Sequence, residues 1–473
     1  MITARSSKIS AASANGTKSH ENWTSRFAFL MASIGFAVGL GNIWKFPYIT
    51  GENGGGAFVL IYLLCAFGIG VPILMAEILI GRRGKQSANV SMGTVASQEG
   101  ASSHWHWLGA MTMLTAFLIL VVYCVVSGWV LQYLYIALTD GFTGISNGTS
   151  AALFANVLAD PIGMIFWTAL ALSLTALIVS AGVKNGIERA VTFLMPALFI
   201  LLLVMVTYAA YAGDFDQGLR FLFSADFTKI NAKTVLVAIG QAFFSVGVAM
   251  AAIMTYGAYL PKTVSIGRSA LIIVFADTLV AILAGLAIFP LVFQYGMDPQ
   301  GGPGLIFEAL PLAFAQMPGG HFFSVVFFTL LSVAAITSMV GLLEPLVSWA
   351  EEHKNINRRK GGLLFCVLIL TLSLLSIFSY NHLADIQPLA WLPGFADRNF
   401  NSAVEFLTDQ LTLPIGGLLI AIFAGWIMSD KSTQEELGLA NQKVYQTWRF
   451  LIRYIVPPAL ILVLLLGLTG KSA

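Results

Sequence analysis

Four ionisable residues stand inside long apolar runs: Lys45, Glu77, Asp277 and Glu344. A charge in hydrocarbon costs several kcal/mol and marks a pathway, a site or a buried partner. Asp277 follows Arg268 by nine residues, which on a helix rising 1.5 Å per residue is about 14 Å of depth, close to a bilayer's middle. It is the strongest single candidate for chemistry; a carboxyl kept protonated or paired for structure is the alternative. Glu77 and Glu344 lie nearer the ends of their runs, where hydrogen bonding to broken-helix backbone is as good an account as transport. Asn42, Ser245, Thr337 and Ser338 supply neutral oxygens at similar depth. With Asp277 and freed carbonyls they make the all-oxygen donor set of a hard cation, although any one Ser or Thr usually bonds back to its own helix. Enzyme chemistry has no counterpart: HExxH, GxSxG and Walker patterns are missing, and Gly470-Lys471-Ser472 lacks the glycine loop of a phosphate cradle. His104-Trp105-His106 fits tryptophan anchoring at an interface better than metal binding. Cys65, Cys124 and Cys366 sit in apolar runs without disulfide or metal spacing, as packing residues do.

The elements that must position these residues are membrane helices. Of 473 residues 57% are apolar and 10% charged, with 45 Gly and 34 Phe, against about 25% charged in a soluble domain. Mean hydropathy is +0.82. Such a chain cannot cover itself with polar surface, and lipid leaves helices as the backbone solution. The net charge of +2 comes from scattered basic residues, which argues against nucleic acid as a partner. Apolar stretches able to cross about 30 Å of hydrocarbon fall near 25–49, 57–80, 107–139, 161–180, 188–212, 234–260, 268–296, 321–350, 362–380, 412–429 and 450–469. This is an all-α polytopic membrane protein of eleven transmembrane helices. The apolar stretch 304–317, interrupted by Pro311, is too short to span and reads as a re-entrant or hairpin lid. Residues 1–22, rich in Ser, Ala and Asn, are expected to be a disordered cytoplasmic tail, ahead of a transporter domain over 23–470.

Lys and Arg set orientation. Nineteen belong to the tail and alternate loops, including Arg82, Arg83, Lys85, Lys262, Arg268 and Arg358 to Lys360; the opposite loops hold Arg220, Lys229, Lys233, Arg398 and Lys471. The N-terminus is therefore expected inside and, after eleven spans, the C-terminus outside. Two spans carry helix-breaking sequence at mid-depth, the first at Gly39-Leu40-Gly41 and the sixth at Gly247. Interrupted helices at matching places in two halves mark inverted-repeat transporters, while glycine also serves plain helix packing.

The run Gly35-Phe36-Ala37-Val38-Gly39-Leu40-Gly41-Asn42-Ile43-Trp44-Lys45-Phe46-Pro47-Tyr48, preceded by Trp23, resembles the neurotransmitter:sodium symporter family in its bacterial amino-acid branch. Glu52-Asn53-Gly54-Gly55-Gly56, Gly240-Gln241-Ala242-Phe243-Phe244-Ser245, Thr255-Tyr256-Gly257-Ala258-Tyr259 and Met317-Pro318-Gly319-Gly320 carry the likeness along the chain. The resemblance implies a LeuT-type fold in which spans 1–5 (about 23–212) and 6–10 (about 234–429) are inverted repeats, with span 11 (450–469) appended and helices 1 and 6 broken. It implies two sodium ions as cofactors. The first would be held by the Ala37 carbonyl, Asn42, Ser245, Asp277 and the substrate carboxylate, the second by carbonyls of Gly35, Val38 and Ala334 with hydroxyls of Thr337 and Ser338. Chloride-dependent relatives have Asn at the position of Asp277 and Ser at that of Ala281, so chloride independence is expected here. The substrate carboxylate would meet the amides of Leu40 and Gly41 with Tyr123 assisting, and its amino group the carbonyls of Ala37, Phe244 and Ser245. Monoamine carriers hold Asp where this chain has Gly39, which favours an amino acid. The side-chain pocket would be Ile119, Tyr123, Phe244, Gly247, Met250, Ser338 and Leu342, apolar and suited to a large aliphatic or aromatic L-amino acid. The gates implied are Lys45, Tyr123 and Phe244 outside, and Trp23, Tyr259 and Glu352 inside, with His20 or Lys18 in place of the usual Arg facing Glu352. Sodium-coupled uptake across a plasma membrane is the function so implied. A proton-coupled carrier or exchanger on the same fold, or a non-transporting amino-acid sensor, are the alternatives.

Overall fold

A computed structural model describes residues 22–300, 302, 304–392, 395–439 and 441–468. Among them every regular element is helical, and nine helices are long and apolar enough to cross a membrane, ten with the bent first pair counted as one span. The sixth span, divided into Ala232–Val246 and Ala252–Ala258, fails that length test because of its break. It is consistent with an eleventh.

Local sequence accounts for where the helices start. Ser25 caps the first span by accepting the Ala28 N–H, Ser265 the seventh through Arg268, Asn357 the ninth through Arg359, and Asp160 precedes Pro161 at the fourth. Each supplies an acceptor for an otherwise unpaired amide of the first turn. The tenth span runs over Phe400–Ile427 and the eleventh over Gln442–Leu468, so both begin earlier than the apolar runs 412–429 and 450–469 imply. Asn399 caps the tenth, and its first turns carry Glu405 and Asp409, which an apolar window rejects. The stretch 304–317 forms a turn and helix over Leu305–Gln316, apolar and too short to span.

Burial separates the centre from the rim. The apolar stretch of the eighth span, Gly320–Lys354, is 83% buried and that of the third, Ser103–Leu138, is 72% buried, whereas the fifth, Val183–Ala212, is 28% buried and leaves most of its surface for lipid. The eighth span packs against the third and against both broken spans. Close approach there depends on absent side chains: a Cβ on Gly39 would lie 2.7 Å from the Tyr123 hydroxyl, and one on Gly35 would lie 2.8 Å from Met195 Sδ. Cys65, Cys124 and Cys366 are buried and free. The end of the molecule bearing Arg82, Arg83, Lys262, Arg268 and Arg358 is called the basic face below, and the opposite end the far face.

Candidate substrate and ion sites

The first span bends by 48° between Arg26–Ala37 and Gly41–Glu52. The sixth breaks where Gly247 takes a left-handed conformation, φ 72°, which glycine alone adopts freely. Backbone groups freed in a dry interior must find partners, each unpaired one costing roughly 1–3 kcal/mol. Side chains of the first span itself and of other helices supply them. Asn42 Oδ1 accepts the Gly39 N–H at 3.2 Å, the Tyr123 hydroxyl accepts that of Leu40 at 3.0 Å, Gln241 Nε2 donates to the Gly41 carbonyl at 2.9 Å, and Glu77 accepts the Ala249 N–H.

Around the first break the expected ion-binding side chains converge. The Asn42 amide donates to Ser245 Oγ at 3.0 Å and to Asp277 through its carbonyl at 2.9 Å and Oδ1 at 2.7 Å; Ser245 donates to Asp277 Oδ2 at 2.7 Å. Asn42 and Asp277 are fully buried and Ser245 is 2% exposed. Tyr62, unmarked in the sequence reading, joins them: its hydroxyl lies 3.2 Å from Ser245 Oγ and 3.4 Å from Asp277 Oδ2. A carboxylate, an amide, a hydroxyl and backbone oxygens form a hard donor set, so the residues fit a sodium ion. To present Oδ1 to a cation, the Asn42 amide would turn over from the orientation drawn.

A second cluster lies where the first span meets the eighth. Ser338 donates to the Phe36 carbonyl at 3.1 Å, and Thr337 bonds back to Val333 at 3.0 Å and Ala334 at 3.1 Å. A Cβ on Gly35 would lie 3.5 Å from Thr337 Cβ, and Val38, with ψ 95°, turns its carbonyl out of the helix. Gly35 and Phe36 thus meet Thr337 and Ser338 at one seam, beside the Ala334 carbonyl that Thr337 bonds.

Between the breaks is a cavity of about 30 Å³. Ala37, Gly41, Ile119, Tyr123, Phe244, Ser245, Gly247, Met250, Ser338 and Leu342 line it, together with Phe36 and Gly39. Leu40, whose amide is expected to meet the substrate carboxylate, lines a larger vestibule of about 120 Å³ toward the far face, and its N–H donates to the Tyr123 hydroxyl. Tyr123 and Phe244 border both spaces. Phe36 escaped the sequence reading because an aromatic in an apolar run carries no mark of facing a site.

The vestibule carries Lys45, Tyr48, Glu405, Thr408 and Asp409. Lys45 pairs with Asp409 at 2.6 Å and stands 4.2 Å from the centre of the Phe244 ring. The carboxylate partner left open by the sequence is therefore Asp409, on the tenth span. At the basic face Trp23 is 3% exposed. Its indole donates to the Tyr256 carbonyl at 2.9 Å, and its amide to that of Tyr259 at 3.2 Å. The Tyr259 hydroxyl reaches Glu344 at 2.9 Å and Ser348 at 3.0 Å, and Glu344 pairs with Arg358. Glu352 accepts the Ser87 N–H at 2.7 Å and the Ser348 hydroxyl at 3.2 Å. Lys18 and His20, expected to face Glu352, lie outside the described residues.

A profile of the sodium:neurotransmitter symporter family matches residues 20–147 and 153–468. This chain belongs to that family. Among its relatives is a protein of Bacillus subtilis (strain 168) described as an uncharacterized sodium-dependent transporter, YhdH, 35% identical over 94% of this chain and 96% of its own. A Haemophilus influenzae protein of like description is 31% identical over 95% and 99%. A crystal structure of MhsT in complex with L-phenylalanine superposes with a TM-score of 0.87 at 37% identity, covering 94% of this chain and 99% of that one. The symporter is thus a multi-pass, sodium-dependent membrane transporter of LeuT-type fold and not an enzyme.

Proposed function

We propose that this symporter couples sodium entry to uptake of a large apolar L-amino acid by alternating access, without chloride, with its N-terminus cytoplasmic and its C-terminus outside. The observation that carries the reading is the sharing of one wall. The apolar cavity and the buried Asp277 cluster meet at Ser245, between two helix breaks. An amino acid placed there would set its carboxylate at the Leu40 and Gly41 amides, where the dipole of the half-helix Gly41–Glu52 favours an anion. Its amino group would meet the carbonyls of Ala37, Phe244 and Ser245. The same carboxylate would complete the first sodium's ligands beside Asn42, Ser245 and Asp277, so each bound species raises the affinity for the other. A second sodium would be held by Gly35, Val38, Ala334, Thr337 and Ser338. The phenylalanine bound in the MhsT structure supports the substrate class.

Asp277 brings a fixed carboxylate, and Ala281, fully buried, offers no hydroxyl for an anion. An ionised Asp277 neutralises sodium and repels a second anion. A thermal-shift screen of the purified protein against the twenty amino acids, each in sodium or potassium, tests the proposal, because a ligand of the folded state raises apparent stability. Shifts for large apolar amino acids in sodium alone are the expected result; equal shifts in potassium would contradict it. In flux assays the double variant Asp277→Asn/Ala281→Ser, which also supplies the missing hydroxyl, is expected to transport only with chloride present. Equal flux of that variant in chloride and gluconate would sink the account of chloride independence.

A further inference from the structure

The break in the sixth span holds two residues where their type is disfavoured. Ala249 has φ 62° and Ala251 φ 60°, a left-handed region that crowds a Cβ against the following carbonyl. Gly247, at φ 72°, adopts it without that cost. Three left-handed residues alternate over five positions, and between the two alanines stands Met250, which lines the cavity. Strained backbone of this kind persists only where its surroundings over-determine it.

The surroundings here are specific. Glu77, fully buried on the second span, accepts the Ala249 N–H at 2.5 Å with Oε1, while its Oε2 has no hydrogen-bond partner among the described residues. That carboxylate therefore contacts the break through one amide. On the other side of Met250, the Ala252 N–H closes a tight turn onto the Met250 carbonyl at 2.7 Å with Ala251 at its apex. The Ala251 carbonyl in turn accepts both the N–H and the hydroxyl of Thr255 at 2.9 Å. The Ala249 methyl is seated on the tenth span, where a Cβ on Gly416 would come within 3.0 Å of it. Ala249 and Ala251 are both fully buried.

We infer that Ala249, Ala251 and Glu77 are positioning residues that clamp the break on both sides of Met250, fixing its side chain in the cavity and so setting the largest substrate side chain admitted. The inference rests on the reading of that cavity as the amino-acid site. Glycine at 249 or 251 would relieve the strain and free Met250 to swing aside. Alanine there holds it.

The test is sodium-driven uptake of radiolabelled leucine and tryptophan by the full chain in proteoliposomes, with KM and kcat for each. In Ala249→Gly/Ala251→Gly the ratio of KM for tryptophan to that for leucine is expected to fall about tenfold, the scale on which apolar pockets discriminate size, with no loss of melting temperature. Glu77→Ala should move the ratio the same way. Glu77→Gln, whose amide oxygen still accepts the Ala249 N–H, should keep the wild-type ratio. An unchanged ratio in the glycine variant would overturn the inference and leave the amino-acid reading standing. A glycine variant that folds but transports neither substrate would overturn it too, since stiffness would then serve the cycle and not selection. Failure of the wild type to take up any amino acid would remove the reading and the inference together.

Discussion

At the far face Lys45 pairs with Asp409, each side chain 25% exposed, with Phe244 beneath the ammonium. At the basic face Glu344 is 0% and Arg358 9% exposed, Tyr259 and Glu351 join them, and Trp23 is bound through both its indole and its amide. The far-face pair is part-exposed, and an ammonium serves as a point charge without the planar fork of a guanidinium. The basic-face network is dry at the Glu344–Arg358 pair, opens to water at Glu351, whose side chain is 31% exposed, and is shared among four elements. Exposed pairs add little and break readily, whereas removing one member of a buried pair strands a charge. In the proposed cycle this asymmetry would let the far-face pair yield first and leave opening of the basic face to the free energy of bound substrate and sodium.

Breaking the basic-face network should have the largest effect. Arg358→Ala leaves Glu344 buried without its cation and is expected to lower stability by roughly 3–5 kcal/mol and to abolish coupled uptake. Melting temperature and sodium-driven flux measure the two, and a variant of wild-type stability would remove the distinction between the gates. Asp409→Asn comes next: losing a part-exposed pair worth about 1 kcal/mol should raise KM roughly fivefold with little change in melting temperature. A larger stability loss than that of Arg358→Ala would reverse the comparison.

The smallest effect concerns the basic-face loops. Burial pushes the Glu99 carboxyl up, but the Ser429 N–H, the Ser432 hydroxyl and Arg83 outweigh it and hold it at about 2. A carboxylate held below its usual 4.5 stabilises the fold above that pH, and the contribution is lost as pH falls toward 2. The difference in melting temperature between wild type and Glu99→Gln should therefore be constant from pH 5 to 8 and shrink below about 4.5. A difference that grows on acidification would refute this.

Much of the frame was legible because lipid imposes long apolar helices and glycine marks the breaks. The start of the tenth span was not, since Glu405 and Asp409 interrupt its apolar run while facing the vestibule. The Asp277 cluster could be assembled from residue types at depth. Its fourth member, Tyr62, could not, because a tyrosine among apolar neighbours looks like packing. The partner of Lys45 lies 364 positions away, a distance at which spacing says nothing. Glu344 and Arg358 are fourteen apart, yet they meet only because the chain reverses between the eighth and ninth spans.

The central claim is coupling through a shared site, and uptake of radiolabelled phenylalanine by proteoliposomes tests it most directly. With an inward sodium gradient, constant pH and gluconate in place of chloride, the account predicts concentrative uptake that collapses when choline replaces sodium. Uptake that persists in choline, or follows a proton gradient instead, would contradict it.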